Sequence, residues 1–357
     1  MPLWSWSLPV LGALLLGLSF VLPLNLLLVL ACAAALMAAV IAAVHHAEIV
    51  AHRVGEPFGT LVLALAITVI EVALILSVML AAGSGGDKAA LARDTIFAAV
   101  MLITTGVVGI CVLVGALHHH EQRFHLEGAN SALAALVALA GLSLVLPTFT
   151  TSSPVGTYTV SQLAFVALSS LVLWLAFVFV QTVRHRDYFL PPANAADEDV
   201  HAAPPTAGQA AASFGLLLLS LVVVVGLAKQ LSPTIEAAVV AAGAPKAVIG
   251  IVIAMLVLLP ETWAAVRAAR ADRLQTSLNL ALGSALASIG LTIPAVVVAA
   301  VWLDLPLVLG LSAKDITMLV LAFMVTTITL GSGRTNVMLG AVHLVLFGAF
   351  LFLALVP

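Results

Sequence analysis

ITVIEVALI, residues 67–75, sets a single carboxylate, Glu71, in the middle of an apolar run that begins at Phe58 and ends at Ala82. A helix needs roughly 20 apolar residues to cross a hydrocarbon core about 30 Å thick. The run meets that length and carries no other charge, so it reads as a membrane helix. A carboxylate at mid-bilayer costs about 3 kcal/mol on insertion scales, and such a residue normally faces the interior of a helix bundle with a functional partner. Glu71 is therefore a candidate site residue, and the rest of the chain has to supply its bundle.

Of the 357 residues 63% are hydrophobic and 8% charged, against roughly 25% charged in a soluble domain. Breaks at Pro, Gly and charge clusters divide the chain into eleven apolar segments: 8–22, 24–45, 57–83, 93–118, 128–147, 157–184, 213–230, 245–270, 275–302, 312–331 and 335–356. This predicts an all-α membrane protein of about eleven transmembrane helices. Alternating strands of about ten residues, the mark of a barrel, are absent. The two cysteines, Cys32 and Cys111, lie in apolar runs and offer neither a disulfide framework nor a thiolate metal site. A formal net charge of −3 gives no basic surface for nucleic acid. The opening MPLWSWSLPV lacks the basic residues of a signal peptide, so the first segment reads as a retained helix.

The stretch 185–212, which contains Asp197, Glu198 and Asp199, is polar and rich in Pro and Ala, and reads as a linker between two halves. Its acidic cluster reads as a solvated loop, with cation sensing as the alternative. Counting Lys and Arg on alternate sides puts eight with the N-terminus and the linker and five opposite, so these are expected in the cytoplasm, with the protein in the inner membrane. The His-rich loop HHHEQRFH, 118–125, falls on the same side; it is open to pH sensing or soft-metal binding, with no fixed ligand spacing.

With the first segment set aside, five segments precede the linker and five follow it. Corresponding segments then run in opposite directions, which is inverted-repeat topology. The expected division is an extra helix at 1–23, a first repeat at 24–184, the linker at 185–212 and a second repeat at 213–357. Glu71 lies in the second segment of one repeat and Glu261 in the second segment of the other. On one helical face Glu71 is joined by Thr60, Ala64 and Thr68; the equivalent face has Gly250, Ala254, Leu258 and Glu261. Pro260 removes a backbone donor and pushes away the carbonyl of Leu256. That carbonyl is either a cation ligand or simply part of a kink. The following segments offer Thr104 and Thr105 in one half and Ser277, Ala281, Ser284 and Ser288 on one face in the other. These hydroxyls are ligands of the second rank, since in membrane helices they also bond to their own backbone.

Oxygen ligands without sulfur or buried histidine suit a hard cation, calcium above all. Two carboxylates balance one divalent ion or two protons. A buried carboxylate with no cation beside it is favoured in its protonated form, and a bound cation displaces that proton. Competition of cation and proton for one site is the minimum for antiport. An intramembrane enzyme is the rival from another class, but a metalloprotease needs His-Glu-x-x-His and an aspartyl type paired aspartates; no segment holds either.

Several stretches together resemble the calcium/cation antiporters, in particular their cation/proton exchanger branch with its bacterial ChaA-type calcium/proton antiporters. They are VGEPFGTLVLALAITVIEVALI (54–75), EQRFHLEGANSALAALVALAGLSLVLP (121–147), SPTIEAAVVAAGAPKAVIGIVIAMLVLLPETW (232–263) and GSGRTNVMLGAVHLVLF (331–347). The resemblance spans nearly the whole chain after the first segment. It implies an eleven-helix inner-membrane exchanger in which Glu71 and Glu261 bind the cation and carry protons, with no further cofactor. The branch usually has the pattern G-N-x-x-E before each Glu. Here those positions read Ile67 and Thr68, and Val257 and Leu258. Thr68 can replace one side-chain oxygen and Leu258 cannot replace the other, which opens the alternative of sodium or potassium.

Overall fold

The computed structural model describes residues 2–55, 58–81, 89–190, 205–245 and 247–356. It contains one helical rod for each apolar segment: α1 (Leu3–Val21), α2 (Leu26–Val54), α3 (Phe58–Ala81), α4 (Leu91–His119), α5 (Leu126–Thr148), α6 (Val160–Arg184), α7 (Ala207–Ala241), α8 (Ala247–Arg270), α9 (Leu274–Trp302), α10 (Ala313–Gly331) and α11 (Val337–Leu355). Among the described residues ten of these are long and apolar enough to cross a membrane, and α3 adds the apolar stretch Val62–Ser77. Glu56 and Pro57 of the Gly-Glu-Pro entry, the acidic cluster at 197–199 and the side chain of Thr60 lie outside what is described.

Polar residues set where the helices begin. Asn25, Ser312 and Asn336 each accept a hydrogen bond from the backbone N–H three residues on, and Thr159 and Gln162 form a reciprocal capping box at the start of α6. Two helices outrun the apolar segments that predict them. The segment 24–45 continues as α2 through His45, His46 and Glu48 to Gly55, whose positive φ of 76° ends the helix. The segment 213–230 becomes α7, from a Thr206–Gln209 capping pair to Ala241. The added ends are rich in Ala, Gln and Glu, good helix formers that need no hydrocarbon around them.

The chain forms two compact units. One comprises Met1–Gly85 with Asp199–Ile249, and so holds α1, α2, α3 and α7; the other comprises Gly86–Glu198 with Gly250–Pro357. In the first, α2 packs on α1, α3 and α7. A Cβ on Gly12 of α1 would meet the Val223 side chain of α7 at 2.7 Å, so these helices cross at a small residue. His46, fully buried, joins three helices: its Nε2 is 2.8 Å from the Ser5 carbonyl and its Nδ1 3.2 Å from the Ser213 hydroxyl.

In the second unit α4 packs along α11, α5 and α6 pack on α9, and α10 lies against α5 and α11. α9 is interrupted at Leu291, between segments Leu274–Gly290 and Thr292–Trp302. Pro294 explains the break, since it has no N–H to give the Gly290 carbonyl. Gly290 itself is pressed against Trp174 of α6, where a Cβ would lie 2.6 Å from that residue's own Cβ.

The outward faces are as apolar as the inward ones. On α6 Phe165, Leu168, Val172, Leu175 and Phe179 form an exposed stripe, while the buried stripe includes Ser170. In water such an exterior would aggregate; in lipid it is the solvated face.

Candidate functional site

In the second unit, α8 carries Glu261 one residue after Pro260, and the helix runs on through the proline to Arg270. The Ser284 hydroxyl of α9 donates to the Glu261 carboxyl at 2.5 Å. Ser288 lies one turn further along α9, also buried, with Ala281 and Ala285 completing a small-residue surface. Small side chains let α9 come close enough for a serine to reach a carboxylate in the neighbouring helix. A hydroxyl that donates to the carboxyl keeps its own lone pairs, so Ser284 and Glu261 present a cluster of oxygens suited to a hard cation. A hydrogen bond to a charged group contributes about 1.5–3 kcal/mol, so Ser284→Ala is expected to raise the cation KM about tenfold or more. Transport kinetics in proteoliposomes check this, and an unchanged KM would remove Ser284 from the site.

Thr104 and Thr105 lie in a different kind of structure from the one their sequence suggests. α4 is α-helical over Leu91–Met101 and Val108–His119, but Leu102–Val107 between them is a π-helical turn. Both hydroxyls donate to their own helix, Thr104 to the Val100 carbonyl at 2.7 Å and Thr105 to Met101 at 2.5 Å. They remain available as oxygen acceptors only. The π turn packs against α9, α10 and α11. Such turns occur often at functional sites because they widen the helix and release a backbone group.

In the first unit Glu71 is almost completely buried on α3, with Thr68 buried one turn before it. Thr68 donates to the Ala64 carbonyl at 2.8 Å, which leaves its oxygen able to act as an acceptor. Thr68 and Glu71 of the expected stripe are thus both buried on α3. Thr262, a neighbour of Glu261, behaves in the same way and donates to Leu258 at 2.8 Å.

The expectation that the segments hold no buried histidine is corrected by the structure: His46 and His343 are both fully buried. The signal for His343 lies in GAVHLVLF, where a lone His interrupts the last segment, and His46 stands beside His45 at the end of the apolar segment 24–45. The loop expected at 118–125 begins two residues later: His118 and His119 belong to the last turn of α4, where their ring nitrogens lie against the Val114 and Arg270 carbonyls.

An open apolar groove of about 590 Å³ in the second unit is lined by Leu102, Gly106, Ile110, Leu258, Thr262 and Phe347, among others. With Thr262 its main polar contribution, it is no cation site, but it shows that the π turn of α4 runs beside the Glu261 stretch of α8.

The family model described as "Sodium/calcium exchanger protein" matches residues 24–183 and 212–356. The chain is 49% identical, over all of its length and 97% of the relative's, to a protein of Sinorhizobium fredii named as an ionic transporter, y4hA. It is 32% identical to the sodium-potassium/proton antiporter ChaA of Escherichia coli, over 94% of this chain and 90% of that one. Its fold is similar to native YfkE, with a TM-score of 0.74 at 17% identity over 98% of this chain and 99% of that one. It is similar also to the H+/Ca2+ exchanger CAX, with a TM-score of 0.72 at 14% identity over 98% and 87%. The chain belongs to the sodium/calcium exchanger family, within the cation/proton exchanger branch of the calcium/cation antiporters, and is a multi-pass membrane ion antiporter rather than an enzyme.

Proposed function

We propose that the protein exchanges a cation for protons by alternating access, with Glu71 and Glu261 acting on the same cation and carrying the protons. The observation that carries this reading is the oxygen cluster at Glu261, where a carboxylate in a membrane helix accepts from Ser284 at 2.5 Å. Glu71, its counterpart by position in the sequence, is buried, while Glu261 is half-buried. Each carboxylate holds a proton when the cation is absent and releases it on binding, which couples the two fluxes without a separate relay. Thr68, Thr104, Thr105, Ser284 and Ser288 supply neutral oxygens, and Pro260 frees the Leu256 carbonyl as one more.

Two carboxylates neutralise one calcium ion, which makes calcium the first choice of cargo. The second reading is sodium or potassium. It is supported by the absence of a side-chain oxygen at Leu258 and by the relative named as a sodium-potassium/proton antiporter. The N-terminus and the linker at 185–212 are placed in the cytoplasm by the charge bias, in an inner membrane.

The test is proton flux in proteoliposomes carrying a pH gradient, on addition of calcium, sodium or potassium in turn. Calcium is expected to collapse the gradient at the lowest concentration. A response to sodium or potassium alone selects the second reading, and no response to any of the three rejects cation/proton exchange.

A further inference from the structure

The buried histidine of α11 has no part in the ion site as described, yet it touches the one segment of α4 that departs from regular helix. His343 is fully buried. Its Nδ1 lies 2.7 Å from the Thr104 carbonyl, and its Nε2 2.9 Å from the Thr329 hydroxyl of α10. A carbonyl only accepts, so Nδ1 must carry a proton; in the neutral ring Nε2 then accepts from Thr329.

The partner on α4 is not arbitrary. The Val108 N–H donates five residues back, to the Ile103 carbonyl. When the four-residue step resumes at Gly109, the ladder reaches Thr105 and passes over the Thr104 carbonyl. A carbonyl left over in a dry interior requires a donor from elsewhere. His343 provides it. Gly109 makes the approach possible, since a Cβ there would stand 2.8 Å from the His343 Cβ.

We infer that His343 is a positioning residue for the ion site: its Nδ1–H holds the Thr104 carbonyl and so fixes the π turn that packs on the helix of Ser284. This rests on the reading of Glu261 and Ser284 as ion ligands. Without the bond, Leu102–Val107 has no fixed register, and the oxygens of Thr104 and Thr105 lose their place beside α9. The consequence is a weakened affinity for the cation rather than a lost reaction step.

The experiment compares His343→Leu, His343→Asn, His343→Gln and Thr329→Val in proteoliposomes, measuring KM and turnover with calcium, sodium and potassium. An Asn amide can donate from about the Nδ1 position, whereas a Gln amide falls at the Nε2 position. His343→Leu and His343→Gln are expected to raise KM about tenfold, because a buried acceptor is left unsatisfied, while His343→Asn and Thr329→Val stay within about threefold. Amide hydrogen exchange at 102–108 is expected to speed up in the Leu and Gln variants and not in Asn. A purely structural role would lower the amount of folded protein and leave KM unchanged. If the Leu variant gives no monodisperse protein, the Asn and Gln pair decides. A wild-type KM in His343→Leu, or a Gln variant as good as Asn, overturns the inference. Glu261→Gln separates the two readings: exchange that survives it rejects the ion site, while the exchange of amides 102–108 still tests the bond to Thr104.

Discussion

Exchange is expected to fall to about 1% of wild type or less in Glu261→Gln, and equally in Glu71→Gln, since leaving a bound cation without one of its carboxylates costs about 3–5 kcal/mol, as does breaking an ion pair held out of water. Glutamine has nearly the shape of protonated glutamate, and its carbonyl can still accept from Ser284, so the helices should assemble as before. What disappears is the charge that attracts the cation and the proton that leaves in return. Dequenching of a pH-sensitive dye in everted vesicles measures the loss, with protein content and monodispersity as controls. Undiminished exchange in both variants would reject the carboxylates as the coupling groups. Loss in one variant alone would reject a cation shared by both.

The largest effect on stability is expected at Gly340, where α11 crosses α4. A Cβ there would meet the backbone of Leu113, 2.6 Å from its nitrogen and 2.7 Å from its Cα. Backbone has no rotamer to escape into, so the two helices must separate along their whole contact. Gly340→Leu is therefore expected to cost about 3 kcal/mol or more, at the upper end of overpacking effects. At Gly348, further along the same helix, a Cβ would meet nothing within 4 Å. Gly348→Ala is expected to be neutral or slightly stabilising, because alanine is the better helix former. Thermal unfolding of the two variants in detergent makes the comparison, and equal midpoints would refute the close crossing.

Much of this arrangement is legible in the residues themselves. The eleven apolar segments each become a helical rod because, in lipid, a backbone must satisfy its own hydrogen bonds. Hydropathy then reports length directly. Segment ends are less legible: α2 and α7 continue past their apolar stretches because helix propensity does not stop where hydrocarbon does. Glu71 and Glu261 stand out in the sequence for the same reason that the segments do, as charges where the solvent admits few.

The π turn of α4 was not legible. LITTGV has no residue that forces a five-residue step; the step depends on His343, 239 positions away from Thr104. The direction in which each helix faces was hidden too. In a soluble protein the apolar stripe marks the core, but α6 is apolar on both sides and buries Ser170 while exposing Phe165.

By itself, then, the sequence determined the helical class, the number of rods and the two intramembrane carboxylates, because the bilayer penalises every polar group that enters it. Only the tertiary structure decided that Ser284 meets Glu261, that Thr104 lies in a widened turn, and that a buried histidine holds its carbonyl. Those contacts join helices far apart in the chain, and they rest on the closeness that glycine, alanine and serine permit rather than on any local pattern.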